Sequence, residues 1–333
     1  MAVDRRTFAL AALAAMTGAC ARACEARAQR SAPSWSAFKS DFVLPSGRIV
    51  DKGNGDVSHS EGQGYGLWLA LTARDRKLFD TILDWTEANL ARTDMALFAW
   101  RYDPRSPNPV ADRNNATDGD IFIAWALARA ARLWREPTFA RRSEAIRTAI
   151  LAHLVIDRFD RRLLLPGVEG FASPNIVTVN PSYIIWPALD AFRAMDGKAT
   201  WGPLITDSER LLLACRFGPH SLPTDWIDVT ADGLAPAASK PPRFGFDAIR
   251  IPLYAMAGNR PALISPIVEY WRDCLRNGGA IPAWIDVQSG IQADYGLSAG
   301  GVAVADRALG RTPTLPLDPD YYAAALQMLV RTL

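Results

Sequence analysis

The chain has 333 residues, of which 49% are hydrophobic and 22% are charged, and its formal net charge is +2. These values are typical of a globular protein with one large domain or two small ones, and they give no support to a binder of nucleic acid. Its 11 Trp, 8 Tyr and 13 Phe provide flat faces on which sugar rings or bases stack, although most of them belong to the core.

The first 30 residues, MAVDRRTFALAALAAMTGACARACEARAQR, have the pattern of an export signal. Paired arginines, Arg5 and Arg6, precede an apolar run that is too short to span a bilayer. We therefore predict a twin-arginine signal peptide over residues 1–28, cleaved after Ala28, and a periplasmic or secreted domain over 29–333. Lipidation at Cys20 is a weaker alternative, because the usual Leu three residues earlier is missing.

No motif for a metal or a cofactor is found in the sequence. Cleavage would leave Cys215 and Cys274 in a compartment that permits disulfides, and whether the two are joined stays open. The three histidines are scattered without ligand spacing. Dinucleotide, Walker and serine-hydrolase motifs are also missing, so we expect neither a bound metal nor a cofactor.

Helical periodicity dominates the chain after Ser60. Apolar residues recur at helical spacing in ten segments, near 61–74, 76–91, 118–134, 138–156, 182–195, 206–216, 249–257, 262–277, 297–308 and 319–332. Short β pieces are predicted at 161–167 and 174–180. A helical domain of this size is too large for a four-helix bundle, so we predict an all-α toroid with inner and outer helices.

The first candidate site segment is HSEGQGYGLWLA, residues 59–70, which begins a predicted helix with Glu61. Three glycines, Gly62, Gly64 and Gly66, each cost about 1 kcal/mol relative to Ala in a helix interior. One explanation is a large ligand lying against bare backbone. The alternative is a purely structural helix start, with Ser60 and Gln63 forming a capping box.

The segment NNATDGDIFIAWALARAARLW, residues 114–134, repeats this pattern. Thr117 and Asp120 have the spacing of a capping box, and Asp118 is predicted as the first helical residue. Gly119, between the two acids, is expected to leave backbone exposed. The alternative is again an acidic helix start with no further function.

In RFGFDAIRIPLY, residues 243–254, Pro252 is tolerated only in the first turn of a helix. The helix is therefore predicted to begin near Ile249, with Asp247 just before it. Arg250 is expected to pair with Asp247 and to keep that carboxylate ionised, although such a pair is also common as a purely structural feature.

Three carboxylates at three helix N-termini favour a shared site, because the inner helices of an α/α barrel open on one face. Paired acids beside aromatic faces are what glycosidic hydrolysis requires: an acid to protonate the leaving oxygen and a base to activate water.

Four motifs, SEGQGYGLWLALT, ATDGDIFIAWAL, NPSYIIWPAL and FDAIRIPLY, resemble those of the family 8 glycoside hydrolases in order and spacing. The resemblance extends from Trp35 to the C-terminus. It is strongest to endoglucanases encoded alongside bacterial cellulose synthases, which have a short mature chain without an added binding module.

The resemblance implies an (α/α)6 barrel and inverting hydrolysis of β-1,4-glucan. Glu61 matches the general acid and Asp247 the general base. Asp118 matches the acid of the family signature, whose role is either nucleophile-like or that of holding the distorted sugar and the water, and we favour the second. Tyr183 matches a tyrosine beside the cleavage point and Arg250 the arginine after the base. Trp100 matches a stacking residue of the subsites.

The resemblance also implies a functional association with cellulose synthase, and the glycines near Glu61 would make room for the polymer. Two rival functions stay open. One is a relative acting on xylan, xylo-oligosaccharides or chitosan. The other is a catalytically weak glucan-binding partner of the synthase, against which the presence of all three acids argues.

Overall fold

The computed structural model describes residues 33–333. The predicted signal peptide, its cleavage site and the start of the mature domain at residue 29 lie outside the described residues. Within residues 33–333 no helix is long and apolar enough to cross a membrane. Cys215 is buried and Cys274 is half-buried, and both are free thiols.

Eleven α-helices form over residues 33–333. They are α1 Trp35–Phe42, α2 Ser60–Thr72, α3 Arg76–Leu90, α4 Thr117–Trp134, α5 Pro137–His153, α6 Trp186–Asp196, α7 Lys198–Ala214, α8 Arg250–Ala257, α9 Ser265–Arg276, α10 Ala299–Ala308 and α11 Tyr321–Thr332.

The helices are arranged in two concentric layers. In the inner layer α2 contacts α4, and the ring continues through α6, α8, α10 and α11 back to α2. Outside it, α3, α5 and α7 pack on the helices that precede them, α9 packs on α10, and α1 packs on α11. The predicted (α/α)6 barrel is confirmed.

Burial follows from these layers. The inner helix α11 is buried on nearly every side, from Tyr321 through Val330. The outer helix α3 instead buries one stripe, Phe79, Ile82, Thr86 and Leu90, as expected for a helix with one face in water.

Within the described part of the chain, nine short strands lie in the loops. They are β1 Ser58–His59, β2 Arg101–Tyr102, β3 Val155–Arg158, β4 Arg161–Leu164, β5 Val177–Val179, β6 Ile227–Thr230, β7 Gly233–Pro236, β8 Arg243–Phe244 and β9 Ile285–Asp286. All pairs are antiparallel, and β5, β6 and β7 form one sheet with β6 in the centre. The two predicted β pieces contain β4 and β5.

The glycines of α2 are packing positions, and the prediction that they leave bare backbone for a ligand is wrong. All three are buried. A Cβ on Gly64 would lie 2.7 Å from the Phe122 Cβ on α4. The expectation of exposed backbone at Gly119 is also wrong, since this buried residue would place a Cβ 2.7 Å from the Glu61 amide nitrogen. The missing side chains therefore let α2 and α4 approach closely.

We predict that Gly64→Ala destabilises the protein by about 1–3 kcal/mol, because overpacking at the contact with Phe122 outweighs the better helix propensity of Ala. Gly279→Ala is the control, since its Cβ would make only an ordinary contact, 3.5 Å from the Cys274 carbonyl oxygen. Urea unfolding of the two variants measures the difference. Equal stability of both would contradict the packing role.

Candidate active site

The three predicted carboxylates lie at the N-terminal ends of inner helices. Glu61 is the second residue of α2, Asp118 is the second residue of α4, and Asp247 lies three residues before α8. The α8 helix begins with Arg250, one residue later than predicted. The sequence thus predicted the starts of these three helices to within one residue, with Asp118 as the second helical residue rather than the first.

Arg250 brings these acids together. Its side chain is 3% exposed, and its guanidinium contacts Glu61, lies 3.0 Å from Asp118 Oδ2 and lies 2.7 Å from Asp247 Oδ1. Its Nη2 also donates to Ser182 Oγ at 2.9 Å. One buried guanidinium therefore bridges three carboxylates from different parts of the chain.

The prediction of capping boxes at the starts of α2 and α4 is wrong. Neither helix has a side-chain cap, and the N-cap residues are His59 and Ala116. Gln63 instead accepts from the Ile49 amide at 2.7 Å. Asp120 likewise accepts from the Phe98 amide at 2.9 Å and fixes the loop before α4. The structural alternative for this helix start therefore loses its capping box, while Glu61 remains an acid in the first turn of α2.

Tyr65 supports Glu61 from one helical turn further along α2. Its hydroxyl donates to Glu61 Oε1 at 2.6 Å and lies 3.0 Å from the Tyr254 hydroxyl. Burial raises the pKa of Tyr65 well above its ordinary value, so this hydroxyl stays protonated and remains a donor. Tyr65, Tyr254 and Ser182 were not among the site residues predicted from the sequence. The i, i+4 spacing of Glu61 with Tyr65 and of Arg250 with Tyr254 was the signal available for two of them.

Burial dominates the electrostatics of the two aspartates. It raises the pKa of Asp118 well above its ordinary value, and the charge of Asp247 raises it further. The pKa of Asp247 is also raised, by burial and then by Asp225. The pair of Asp247 with Arg250 is as predicted, but the expectation that this pair decides the ionisation of Asp247 is wrong, because burial and Asp225 outweigh it.

Aromatic side chains flank the carboxylates. The Tyr183 ring lies 5.6 Å from the Arg250 guanidinium carbon and meets Trp226 edge to face. Trp226 in turn stacks on Phe171, with ring centroids 5.8 Å apart and an interplanar angle of 7°. Tyr183 is therefore beside the acids, as predicted, whereas Trp226 and Phe171 lie outside the four motifs and were missed.

Trp100 lies close to Glu61 in the folded chain. Its carbonyl oxygen accepts from the Ser60 amide at 3.0 Å, and its half-buried ring stacks on His59 at a centroid distance of 5.8 Å. Burial, and then the charge of Arg101, lower the pKa of His59 to about 4, so the supporting imidazole is neutral.

A cavity of about 340 Å³ lies at the N-terminal ends of α8, α10 and α11, next to the segment that carries Asp247. Residues that line it include Phe246, Tyr295, Leu297, Ser298 and Tyr322. Phe246 and Tyr295 are 56% and 54% exposed. Among residues 33–333, no group of three or more His, Cys, Asp or Glu side chains is placed to hold a metal ion.

Comparison with known proteins identifies the family, because the model of the glycosyl hydrolases family 8 matches residues 4–333. The chain belongs to glycosyl hydrolase family 8. An endoglucanase of Cellulomonas uda is 41% identical over 280 residues, covering 83% of this chain and 77% of that protein. A probable endoglucanase of Novacetimonas hansenii is 38% identical over 307 residues, covering 90% of this chain and 89% of that protein.

Solved family 8 structures share the fold at similar identity. The crystal structure of a GH8 endo-beta-1,4-glucanase from an Achatina fulica gut metagenomic library has a TM-score of 0.86 and 42% identity, and the match covers 89% of this chain and 95% of that one. The resemblance seen in the four motifs is therefore confirmed at the level of the family. The roles of individual site residues stay predictions.

We predict that Arg250→Met lowers the free energy of unfolding by about 3–5 kcal/mol near pH 7, because it leaves buried carboxylates without a cationic partner. Asp118 already has a raised pKa, and loss of Arg250 raises it further. Ionisation of the unfolded chain is the same in parent and variant, so the difference between them depends on the folded carboxyls alone. The loss of stability should therefore be smallest at low pH, where both folded proteins keep Asp118 protonated, and should grow as the pH rises through the raised pKa of Asp118.

Urea unfolding at several pH values measures this dependence. Arg162→Met is the control, since Arg162 pairs with the exposed Asp157 and its loss should change the free energy of unfolding by at most about 1 kcal/mol at any pH. A loss in Arg250→Met that is the same at every pH would contradict the charge-balancing role of Arg250.

Proposed function

We propose that this glycoside hydrolase is an exported endo-β-1,4-glucanase that cleaves internal bonds of cellulose and related β-glucans with inversion, and that it works alongside a bacterial cellulose synthase. One observation carries the proposal. Arg250 gathers three carboxylates at the mouth of a barrel that is 42% identical to an endo-β-1,4-glucanase of the same family.

In this mechanism Glu61 protonates the leaving oxygen and Asp247 activates the attacking water. Glu61 is 18% exposed and Asp247 is 32% exposed, so both reach the cleft, whereas Asp118 is only 4% exposed. This difference suits a holding role for Asp118 rather than direct proton transfer to or from bulk water. Tyr183, beside Arg250, contacts the sugar at the cleavage point.

The charge balance of the cluster favours retention of a proton for the acid step. One guanidinium neutralises only one of three carboxylates, so full ionisation would leave excess negative charge in a poorly solvated site. Interacting carboxylates titrate as a group. The raised pKa values of Asp118 and Asp247 agree with a cluster that retains a proton, and the mechanism requires that proton on Glu61 when the leaving oxygen is bound.

The cleft suits a polymer bound along its length. Trp100 is half-buried near Glu61, supported by His59, and offers a flat surface for a sugar ring. A second surface is the cavity with exposed Phe246 and Tyr295, which lies next to the segment that carries Asp247. We expect sugar units to bind at both surfaces, since internal cleavage requires binding on each side of the scissile bond.

Export and the link to cellulose synthesis have separate support. Export rests on Arg5, Arg6 and the apolar run that follows them. The association with a cellulose synthase rests on the resemblance of the four motifs to endoglucanases encoded beside such synthases.

We expect rapid loss of viscosity in carboxymethylcellulose at low reducing-sugar release, with little action on xylan or chitosan. Glu61→Gln should lose roughly a hundred- to ten-thousandfold in rate, since an amide cannot donate the proton, while its unfolding temperature stays close to that of the parent. A substrate with a very good leaving group should be partly rescued in this variant.

Preferential release of sugar from xylan or chitosan would mean that this polymer, rather than β-1,4-glucan, is the substrate. Binding to glucan without hydrolysis would instead favour the non-catalytic rival. A large fall in the stability of Glu61→Gln, without rescue by the activated substrate, would mean that Glu61 is structural.

Inversion predicts that the first product is the α anomer. Water between Asp247 and the anomeric carbon requires the Glu61 and Asp247 carboxyls to lie roughly 6.5–9.5 Å apart in the complex, compared with about 5 Å for direct attack. Proton NMR of the product before mutarotation tests this. Early appearance of the β anomer would force Asp118 or Asp247 to be reassigned as a nucleophile.

The export prediction has its own test. Replacement of Arg5 and Arg6 by Lys should leave uncleaved precursor in the cytoplasm, because the twin-arginine pathway reads the paired arginines. Fractionation and immunoblotting of tagged protein measure the distribution. Unchanged periplasmic activity would remove the twin-arginine assignment.

A further inference from the structure

The segment that carries Asp247 is held by a carboxylate from another part of the chain. Asp225, just before β6, accepts from the Gly245 amide at 3.0 Å and from the Ala248 amide at 2.7 Å through Oδ1. Its own amide donates to the Arg243 carbonyl at 2.7 Å. These bonds enclose Asp247 on both sides in sequence.

The close approach of Asp225 depends on a glycine. A Cβ on Gly245 would lie 2.9 Å from Asp225 Oδ2, so a larger residue would push the carboxylate away from the segment. From the opposite side, the Tyr322 hydroxyl donates to the Phe246 carbonyl at 2.6 Å. The segment before α8 is thus fixed from two elements that are distant in sequence.

We propose that Asp225 is a positioning residue for Asp247, and that its carboxylate holds the 245–248 segment so that Asp247 faces the cleft beside Arg250. The proposal rests on the assignment of Asp247 as general base. It adds a residue that lies outside the four motifs and that binds the backbone on either side of Asp247.

The charge of Asp225 gives this role a measurable signature. Burial is the largest cause of the raised pKa of Asp247, and the negative charge of Asp225 is the second largest. The other titratable or charged groups that act on Asp247, or on which it acts, are Arg250, Lys240, Asp118, Tyr183 and Tyr322. Removal of the Asp225 charge alone therefore lowers the pKa of Asp247, which must be ionised to act as a base.

Two substitutions separate position from charge. Asp225→Asn keeps an acceptor oxygen, so kcat should fall only a few fold, while the acid limb of kcat/KM moves to lower pH. Asp225→Ala leaves the Gly245 and Ala248 amides without their acceptor and should lower kcat about a hundredfold with little change in KM. Asp228→Asn is the control. Asp228 lies on β6 and accepts from the Thr178 hydroxyl and the Ala238 amide, so its substitution should leave the acid limb in place.

Failure of the proposal for Asp225 can be distinguished from failure of the proposed function. An acid limb of Asp225→Asn that coincides with that of the parent overturns the electrostatic part, and a folded Asp225→Ala with parental kcat overturns the positioning part. If Asp247→Asn retains full activity, the base assignment fails, and with it the basis for a role of Asp225. Failure of the parent enzyme on every β-glucan would reject the function itself.

Discussion

A single buried guanidinium, that of Arg250, holds the site together. Burial of a charge is costly unless it is paired, and Arg250 is surrounded by more negative charge than it can neutralise. Such an arrangement is a poor source of stability, because well-packed apolar side chains would serve the fold as well or better. In the proposed mechanism its value lies in chemistry, since it keeps the three carboxylates close together.

Close packing of α2 against α4 is what brings two of these carboxylates near the same guanidinium. Gly64 and Gly119 allow the helix axes to approach, and Gly119 lies directly against the first turn of α2. The helix starts that carry Glu61 and Asp118 therefore form one rigid unit. Larger residues at these positions would separate the acids as well as the helices, so the glycines act on function through packing rather than through access for the polymer.

The sequence predicted much of the fold because helical periodicity is a local signal. All ten predicted helices have counterparts, but α7 begins at Lys198 rather than near 206, since Gly202 and Pro203 interrupt the pattern without ending the helix. Helix α1 was not predicted, and β3 replaces the last residues of the predicted 138–156 helix. The prediction of capping boxes was wrong for a different reason. Gln63 and Asp120 bind backbone amides that are distant in sequence, and residue spacing alone does not predict such partners.

The same distinction explains which site residues could be predicted. Glu61 and Asp118 owe their placement to helices, so a local pattern with its acid at the helix start was enough to find them. Asp247 lies in a loop segment, where position depends on Asp225, Tyr322 and Arg250 from separate elements. Motifs identified Asp247 itself but not the groups that hold it. The proposed base is thus more sensitive than the proposed acid to changes elsewhere in the chain. The position of Asp247 depends on tertiary contacts, whereas that of Glu61 is set largely by its own helix.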